Sequence, residues 1–223
     1  MLSFTVQRTM DEKVSEVFQS NVVFPLQLLE IATFFNTDTA LNKTESGKDI
    51  CKITFLLTKN QFLEWGRLFA ESEKIDFVNM TIEHIYGEGD DDSKFTSFVI
   101  HSCLNNVEKI DLTDGEQSRD FVYIDDVVFA YLTVLLSEQK LKGYYEYEVG
   151  SGKAVKVKDF VNVAKRVAKS MTRLNFGAIP YRENEILFSQ ANISKLKELG
   201  WNPEYDVERG IETYIDKLTK LGW

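Results

Sequence analysis

The stretch Arg119-Asp-Phe-Val-Tyr-Ile-Asp-Asp-Val127 changes its hydrophobic period halfway along. Its first half alternates between two faces, which is typical of a β-strand. From Asp125 onward, two acidic residues open a mostly apolar run that continues to Leu136, as at the start of a helix. We therefore predict a short strand that carries Arg119 and leads directly into a buried helix.

Arg119 has two interpretations at this stage. An arginine at a strand–helix junction can bind an anionic ligand through two parallel hydrogen bonds. From these nine residues alone, a surface pair between Arg119 and Asp120 is the preferred interpretation. The order of the other motifs along the chain favours the ligand instead.

The composition is that of an ordinary globular protein. The chain has 223 residues, 43% hydrophobic and 27% charged, which is enough for one large domain or two small ones. The net charge of −9 disfavours nonspecific binding to nucleic acid. Cys51, Cys103 and the two histidines show no zinc-binding spacing, so we expect reduced thiols in a cytoplasmic protein and no metal. We also expect no signal peptide and no membrane span.

Strand and helix patterns alternate along the chain. Besides the central strand and helix, we predict helices at 14–32, 54–73, 95–104, 158–170, 193–199 and 207–221. We predict strands at 33–39, 76–83, 110–112, 144–149 and 174–179, and loops at 42–52 and 86–92. Such alternation is typical of an α/β fold with a largely parallel sheet.

Several short motifs follow one another in a fixed order, although each is weak alone. They are Asn36-Thr-Asp-Thr39, Phe55-Leu-Leu-Thr-Lys59, Ile85-Tyr-Gly-Glu-Gly89, the 119–127 stretch, Pro180-Tyr-Arg-Glu-Asn-Glu185 and Leu199-Gly-Trp-Asn-Pro203. In this order, from about Asn21 to the end of the chain, they resemble the extended short-chain dehydrogenase/reductase family, which contains the NAD-dependent epimerases and dehydratases. Within it, the resemblance is closest to the CDP-abequose synthase-type nucleotide-sugar reductases.

The resemblance implies an incomplete Rossmann-type parallel sheet, with only the later strands, and a small α/β domain that binds the nucleotide sugar. Residues 1–85 and about 118–150 would form the remnant of the Rossmann-type domain, and 86–117 with 151–223 the substrate domain. It also implies a homodimer that pairs the helices Val14–Ala32 and Thr54–Glu73. The second helix carries more apolar residues than one buried face needs, among them Phe62, Trp65 and Phe69.

The resemblance assigns the catalytic positions to Thr37, Asp38 and Lys59. Thr37 would contact the reacting oxygen of the sugar, with Asp38 beside it, and Lys59 would be the only cofactor contact, through the ribose. Phe55 occupies the position of the catalytic tyrosine, and a phenyl ring has no proton to donate. From the residues alone, Thr37 and Asp38 are interpreted as the cap of a turn, and Phe55 with Lys59 as a core ring beside a solvated lysine.

The resemblance also implies a set of substrate-binding residues. Arg119 and Arg182 would bind the diphosphate, and Glu185 would orient the ribose or the arginine. From the residues alone, a lone histidine such as His84 at a strand end is more often structural. The full implied set is His84, Lys94, Phe95, Arg119, Arg182 and Glu185.

The glycine-rich loop that opens this family is not visible. G-x-x-G-x-x-G brings backbone amides onto the dinucleotide pyrophosphate, whereas the first glycine of this sequence is Gly47. We therefore expect no cofactor on this chain alone, although the family uses NAD or NADP.

Three hypotheses of function follow. The preferred one is a truncated family member with a nucleotide-sugar site and little or no oxidoreductase activity. The second is an NAD(P)-dependent nucleotide-sugar reductase or epimerase of lipopolysaccharide (O-antigen) sugar biosynthesis, completed by a separate dinucleotide-binding chain. The third is a non-catalytic interaction protein. The expected ligand is a pyrimidine nucleoside diphosphate sugar, with neither nucleic acid nor membrane as a partner.

Overall fold

The computed structural model describes residues 39–43, 50–73, 75–137, 142–182 and 185–220, together with Gln19, Val23 and Gln27. The predicted helix Val14–Ala32 therefore lies outside the described residues except at those three positions. Thr37 and Asp38 also lie outside them.

Strands and helices alternate through the described part of the chain. The strands are β1 (Thr39–Lys43), β2 (Phe77–Ile82), β3 (His84–Tyr86), β4 (Lys109–Asp111), β5 (Ser118–Tyr123), β6 (Tyr144–Val149), β7 (Ala154–Lys156) and β8 (Arg173–Asn175). The helices are α1 (Ile50–Glu71), α2 (Phe95–Leu104), α3 (Ile124–Leu136), α4 (Val157–Val167), α5 (Ser194–Glu198) and α6 (Val207–Lys220).

Most of the predicted elements are confirmed, and α2 and β6 have the predicted bounds. The predicted loop at 42–52 is wrong at both ends. Residues 42–43 continue β1 because their backbone pairs with β2, and helix α1 begins at Ile50 rather than at 54. Strand β7 was missed because three residues carry no period, and it forms only against the edge of β5.

The chain divides into two compact units. Unit 1 comprises residues 1–82 and 137–147, and unit 2 comprises residues 83–136 and 148–223. This division places β5 and α3 in unit 2. The family resemblance instead assigns residues 118–150 to the Rossmann-type remnant. That domain assignment stays a prediction.

Unit 1 contains a three-stranded sheet in the order β1-β2-β6, with β1 parallel to β2. Helix α1 packs on it through Phe62, which is buried and contacts the ring of Phe77 edge-on at 5.9 Å. Phe62 is thus a core residue rather than surplus apolar surface. Trp65, by contrast, is 42% exposed. Gly66 allows the close approach, because a Cβ there would lie 2.4 Å from the Phe77 ring.

Unit 2 is built around β5, which pairs in parallel with β3 and antiparallel with β7. A second, two-stranded parallel sheet joins β4 to β8. Helices α2, α4 and α6 contribute to one apolar core, where the Phe121 and Phe160 rings stack at 4.3 Å. Together with unit 1, this confirms an α/β fold with partial, largely parallel sheets.

The described residues contain neither a membrane-spanning helix nor a cluster of metal-ligating side chains. None of their helices is long and apolar enough to cross a membrane. They also contain no group of three metal-ligating side chains. Cys103 is a free, buried thiol.

Candidate functional site

Arg119 and Asp120 are neighbours on β5 but belong to separate networks, because successive side chains of a strand point to opposite faces. Arg119 donates from Nη2 to Glu185 Oε1 at 2.6 Å and from Nη1 to the Ser118 carbonyl at 3.0 Å. Both residues are buried, with 7% of Arg119 and none of Asp120 exposed. The interpretation of Arg119 and Asp120 as a surface pair is therefore wrong.

The carboxylate of Asp120 holds two loops against the other face of β5. It accepts hydrogen bonds from the amides of Ser151, Gly152 and Ala191 at 2.7, 2.9 and 3.1 Å. The Ser151 hydroxyl adds a fourth at 2.6 Å. Burial raises the pKa of Asp120, although these hydrogen bonds oppose the shift. Asp120 thus fixes the strand that carries Arg119, a role that no local pattern indicated.

The segment after Arg182 brings Glu185 to Arg119. The Glu185 amide donates to the Arg182 carbonyl at 3.1 Å, so the backbones of these two residues lie close together. Further along, the Ser118 amide donates to the Leu187 carbonyl at 2.9 Å, which attaches the segment to the start of β5. The side chain of Arg182 is exposed and makes no ion pair within the described residues. Its role in phosphate binding beside Arg119 stays a prediction.

His84 lies at the start of β3, next to Glu83. Its Nδ1 is 3.4 Å from Glu83 Oε2, which also accepts a hydrogen bond from the Ser189 hydroxyl. Burial alone would raise the pKa of Glu83, but the hydrogen bonds from His84 and Ser189 and the charge of Arg119 outweigh it and lower this pKa. Glu83 and Ser189 were not singled out in the sequence, because 106 residues separate them.

Lys94 and Phe95 lie where the chain enters α2. The Lys94 ammonium pairs with Asp90 Oδ1 at 2.5 Å, and Phe95 is 39% exposed. An exposed ring beside a lysine can cover the base of a nucleotide, because every base has a face on which a ring can stack. Their assignment to the substrate stays a prediction.

Glu88 of the Ile85–Gly89 motif makes two side-chain contacts to distant parts of unit 2. It accepts hydrogen bonds from Tyr123 Oη at 2.8 Å and from Lys217 Nζ at 2.5 Å. Lys217 also contacts Asp125 Oδ2 at 3.0 Å. These contacts join the loop after β3 to α3 and α6. Nothing in the local sequence pointed to Lys217, which lies 129 residues from Glu88.

Lys59 belongs to unit 1, whereas all the residues described above belong to unit 2. Lys59 is half-buried in α1, and burial lowers its pKa. Phe55 lies one turn earlier in the same helix, and its side chain is outside the described part of the chain. The catalytic assignment of Thr37, Asp38 and Lys59 therefore stays a prediction.

Lys59 is the only side chain of the described residues that the family resemblance assigns to a dinucleotide, where it would hold the ribose.

Comparison with known proteins identifies the family. The sequence pattern of the NAD dependent epimerase/dehydratase family matches residues 5–150. CDP-abequose synthase of Salmonella typhimurium is 40% identical over 208 residues, which cover 89% of this chain and 69% of that protein. CDP-abequose synthase of Salmonella muenchen is 37% identical, over 91% of this chain and 70% of that protein.

Two solved structures share the fold of this chain. UDP-glucose 4-epimerase of Thermotoga maritima, solved with UDP-glucose, has a TM-score of 0.79 at 21% identity and covers 94% of this chain and 72% of its own. MoeE5 in complex with UDP-glucose and NAD has a TM-score of 0.81 at 19% identity, over 99% and 78%. These likenesses confirm the Rossmann-type α/β fold. The chain belongs to the NAD-dependent epimerase/dehydratase family, among the relatives of the nucleotide-sugar enzyme CDP-abequose synthase.

Proposed function

We propose that the chain binds a nucleotide sugar, a pyrimidine nucleoside diphosphate joined to a sugar, through unit 2. The observation that carries the proposal is the buried guanidinium of Arg119, held in one orientation by Glu185. A planar guanidinium that is already oriented binds a diphosphate through paired hydrogen bonds at a reduced entropic cost. The names of the relatives support this ligand class, because they include CDP-abequose synthase and an epimerase solved with UDP-glucose.

In this proposal each of the described residues binds a different part of the nucleotide sugar. Arg119 binds the diphosphate, and Glu185 either keeps the guanidinium in place or turns to the ribose when the phosphates arrive. Arg182 has an exposed side chain one turn before Glu185 and supplies the second positive charge. Lys94 and Phe95 cover the nucleotide.

We further propose that this chain alone has little or no oxidoreductase activity. The reason is Phe55, which stands where the family's tyrosine exchanges a proton with the sugar. The hydroxyl of a threonine such as Thr37 is a much weaker proton donor than such an activated phenol.

A second candidate function is favoured by the 40% identity to CDP-abequose synthase. The chain would then be a cytoplasmic nucleotide-sugar reductase or epimerase of lipopolysaccharide sugar biosynthesis, working with a separate dinucleotide-binding chain. Thr37, Asp38 and Lys59 would serve the reaction without the tyrosine.

Calorimetry with a panel of CDP-, UDP- and dTDP-sugars, NAD(H) and NADP(H) tests these proposals. We expect saturable binding of at least one nucleotide sugar and none of the dinucleotides at micromolar concentrations. Binding of no nucleotide sugar would contradict the main proposal. Saturable binding of NADPH, with reduction of a CDP-linked keto sugar, would favour the second candidate.

A further inference from the structure

The loop between β3 and α2 is joined to helix α6 by its first residue. This loop, Glu88–Lys94, leads directly into α2 and is named the covering loop. Glu88 accepts a hydrogen bond from Lys217 Nζ at 2.5 Å and another from Tyr123 Oη at 2.8 Å. Lys217 also donates to Asp125 Oδ2 at 3.0 Å and lies 5.3 Å from the centre of the Tyr123 ring. Three elements, β5, α3 and α6, therefore fix the start of the covering loop.

Helix α6 also contacts the chain on both sides of the covering loop. Tyr214, one turn before Lys217, forms a buried hydrogen bond of 3.1 Å between its hydroxyl and His101 Nε2 on α2. On the other side, Gly210 allows α6 to pack against the end of β3, because a Cβ there would lie 2.0 Å from Tyr86 Oη. Both flanks of the loop are thus packed against one helix.

Inside the covering loop, Gly89 has no packing of its own. It has a φ of +80°, and a Cβ at this position would meet no atom within 4 Å. The residues after it are tied to one another, since the Lys94 amide donates to the Asp91 carbonyl at 3.0 Å and the Lys94 ammonium pairs with Asp90 Oδ1 at 2.5 Å. Because glycine permits many backbone conformations, the contacts of Glu88 limit the orientations that this turn can adopt.

Resting on the proposed function, we propose that Lys217 is a positioning residue of the nucleotide-sugar site. By holding Glu88, it keeps the covering loop in the conformation that presents Lys94 and Phe95 to the nucleotide. A loop that is ordered before the ligand binds loses less conformational entropy on binding, so the affinity is higher. A lysine that only stabilised unit 2 would change the unfolding temperature, but its effect on affinity would not depend on Lys94 and Phe95.

The test is a double-mutant cycle measured by calorimetry with CDP-glucose. Lys217→Met removes the ammonium but keeps an unbranched side chain. We expect the affinity to fall roughly fivefold to tenfold, which is the cost of ordering one or two side chains on binding. In a variant that already carries Lys94→Ala and Phe95→Ala, the same substitution should change the affinity by less than about twofold, because the positioned groups are gone. Lys217→Arg should keep the wild-type affinity, since a guanidinium can donate to both carboxylates.

Two further variants separate positioning from a general loss of structure. Lys220→Met, the same substitution at an exposed position of α6, is the control and should keep the wild-type affinity. Lys217→Met leaves the carboxylates of Glu88 and Asp125 without their shared cation, so Glu88→Gln combined with Lys217→Met provides a variant with less charge repulsion and should show the same loss of affinity. Hydrogen exchange should be faster in the covering loop of Lys217→Met and unchanged in α4.

The outcomes are distinguishable. Wild-type affinity in Lys217→Met overturns the positioning role but leaves the proposed function standing. A loss of affinity that persists in full without the side chains of Lys94 and Phe95 does the same, because the effect would then be merely structural. A wild type that binds none of CDP-glucose, UDP-glucose and dTDP-glucose overturns both proposals.

Discussion

Arg119 Nη2 and Glu185 Oε1 lie 2.6 Å apart, although 66 residues separate them in the chain. The side chain of Arg119 is 9% exposed and that of Glu185 is 23% exposed, so this is a largely buried ion pair. Breaking such a pair from one side leaves a buried charge without compensation, which costs more than the pair itself contributes. This relationship makes the binding site and the stability of unit 2 depend on each other.

Glu185→Gln should therefore lower the thermal stability of the protein and increase the stabilisation that a nucleotide sugar provides. In the variant, the ligand's diphosphate replaces the missing carboxylate beside Arg119, so saturating ligand should raise Tm by more than in the wild type. Thermal unfolding with and without a saturating nucleotide sugar measures this. Glu198→Gln, an exposed position on α5, is the matched control. If the ligand raises Tm equally in both variants, Glu185 does not act at the ligand site.

Arg119→Ala combined with Arg182→Ala should remove about two decades or more of affinity for the nucleotide sugar. Each charge-assisted contact to a phosphate contributes roughly 1.5–3 kcal/mol, and about 1.4 kcal/mol corresponds to a decade. Calorimetry at low ionic strength is the measurement. Arg173→Ala removes a similar charge from an exposed position on β8 and should leave the affinity unchanged. Unaltered binding by the double variant would mean that the site is assigned wrongly.

Asp120→Asn should destabilise unit 2 by about 2–4 kcal/mol. The wild-type carboxylate offers two acceptor oxygens to its donors, whereas the amide of asparagine offers only one. Three backbone amides and the Ser151 hydroxyl would compete for it. Urea unfolding monitored by circular dichroism gives the free energy. The exposed Asp159→Asn is the control. Equal stability of the two variants would show that the carboxylate network does not hold the loops.

The Glu88–Lys217 pair should make the protein lose stability on acidification. Burial alone would raise the pKa of Glu88, but the hydrogen bonds from Lys217 and Tyr123 lower it. Because the pKa is lower in the folded state, the contribution of Glu88 is present above its unfolded value of about 4.3 and is lost as the pH falls through the folded value. The wild type should thus lose more stability than Glu88→Gln between about pH 5 and pH 3. Parallel losses in urea unfolding would contradict this, and Glu212→Gln, an exposed position on α6, is the control.

Homodimerisation through α1 stays a proposal with a direct test. Trp65 and Leu68 are 42% and 53% exposed, and they lie three residues apart, on neighbouring positions of one helical face. Light scattering coupled to size exclusion should show a concentration-dependent dimer, and Trp65→Glu with Leu68→Glu should shift it to monomer. Glu64→Lys, the control, changes an exposed charge on the same helix without removing apolar surface. A wild type that stays monomeric at about 100 μM, far above typical interface dissociation constants, would overturn the proposal.

The sequence by itself determined the elements whose hydrophobic period is strong and local. The change of period after Tyr123 predicted strand β5 and helix α3, and the apolar runs of α2 and β6 predicted their bounds. The order of the motifs also identified the family, because order along a chain is a property of sequence alone. Lys94, Arg119 and Glu185 were singled out in this way.

Only the tertiary structure decided which side chains meet. Strand alternation places Arg119 and Asp120 on opposite faces, but their partners lie 66 and 31 residues away and follow from the packing of distant segments. The same holds for Lys217 and Glu88. Strand β7 forms because it pairs with the edge of β5, and Glu83 contacts Ser189 because the fold brings these distant residues together. Contacts between distant segments depend on the free energy of the whole fold, so the local hydrophobic period of the sequence does not predict them.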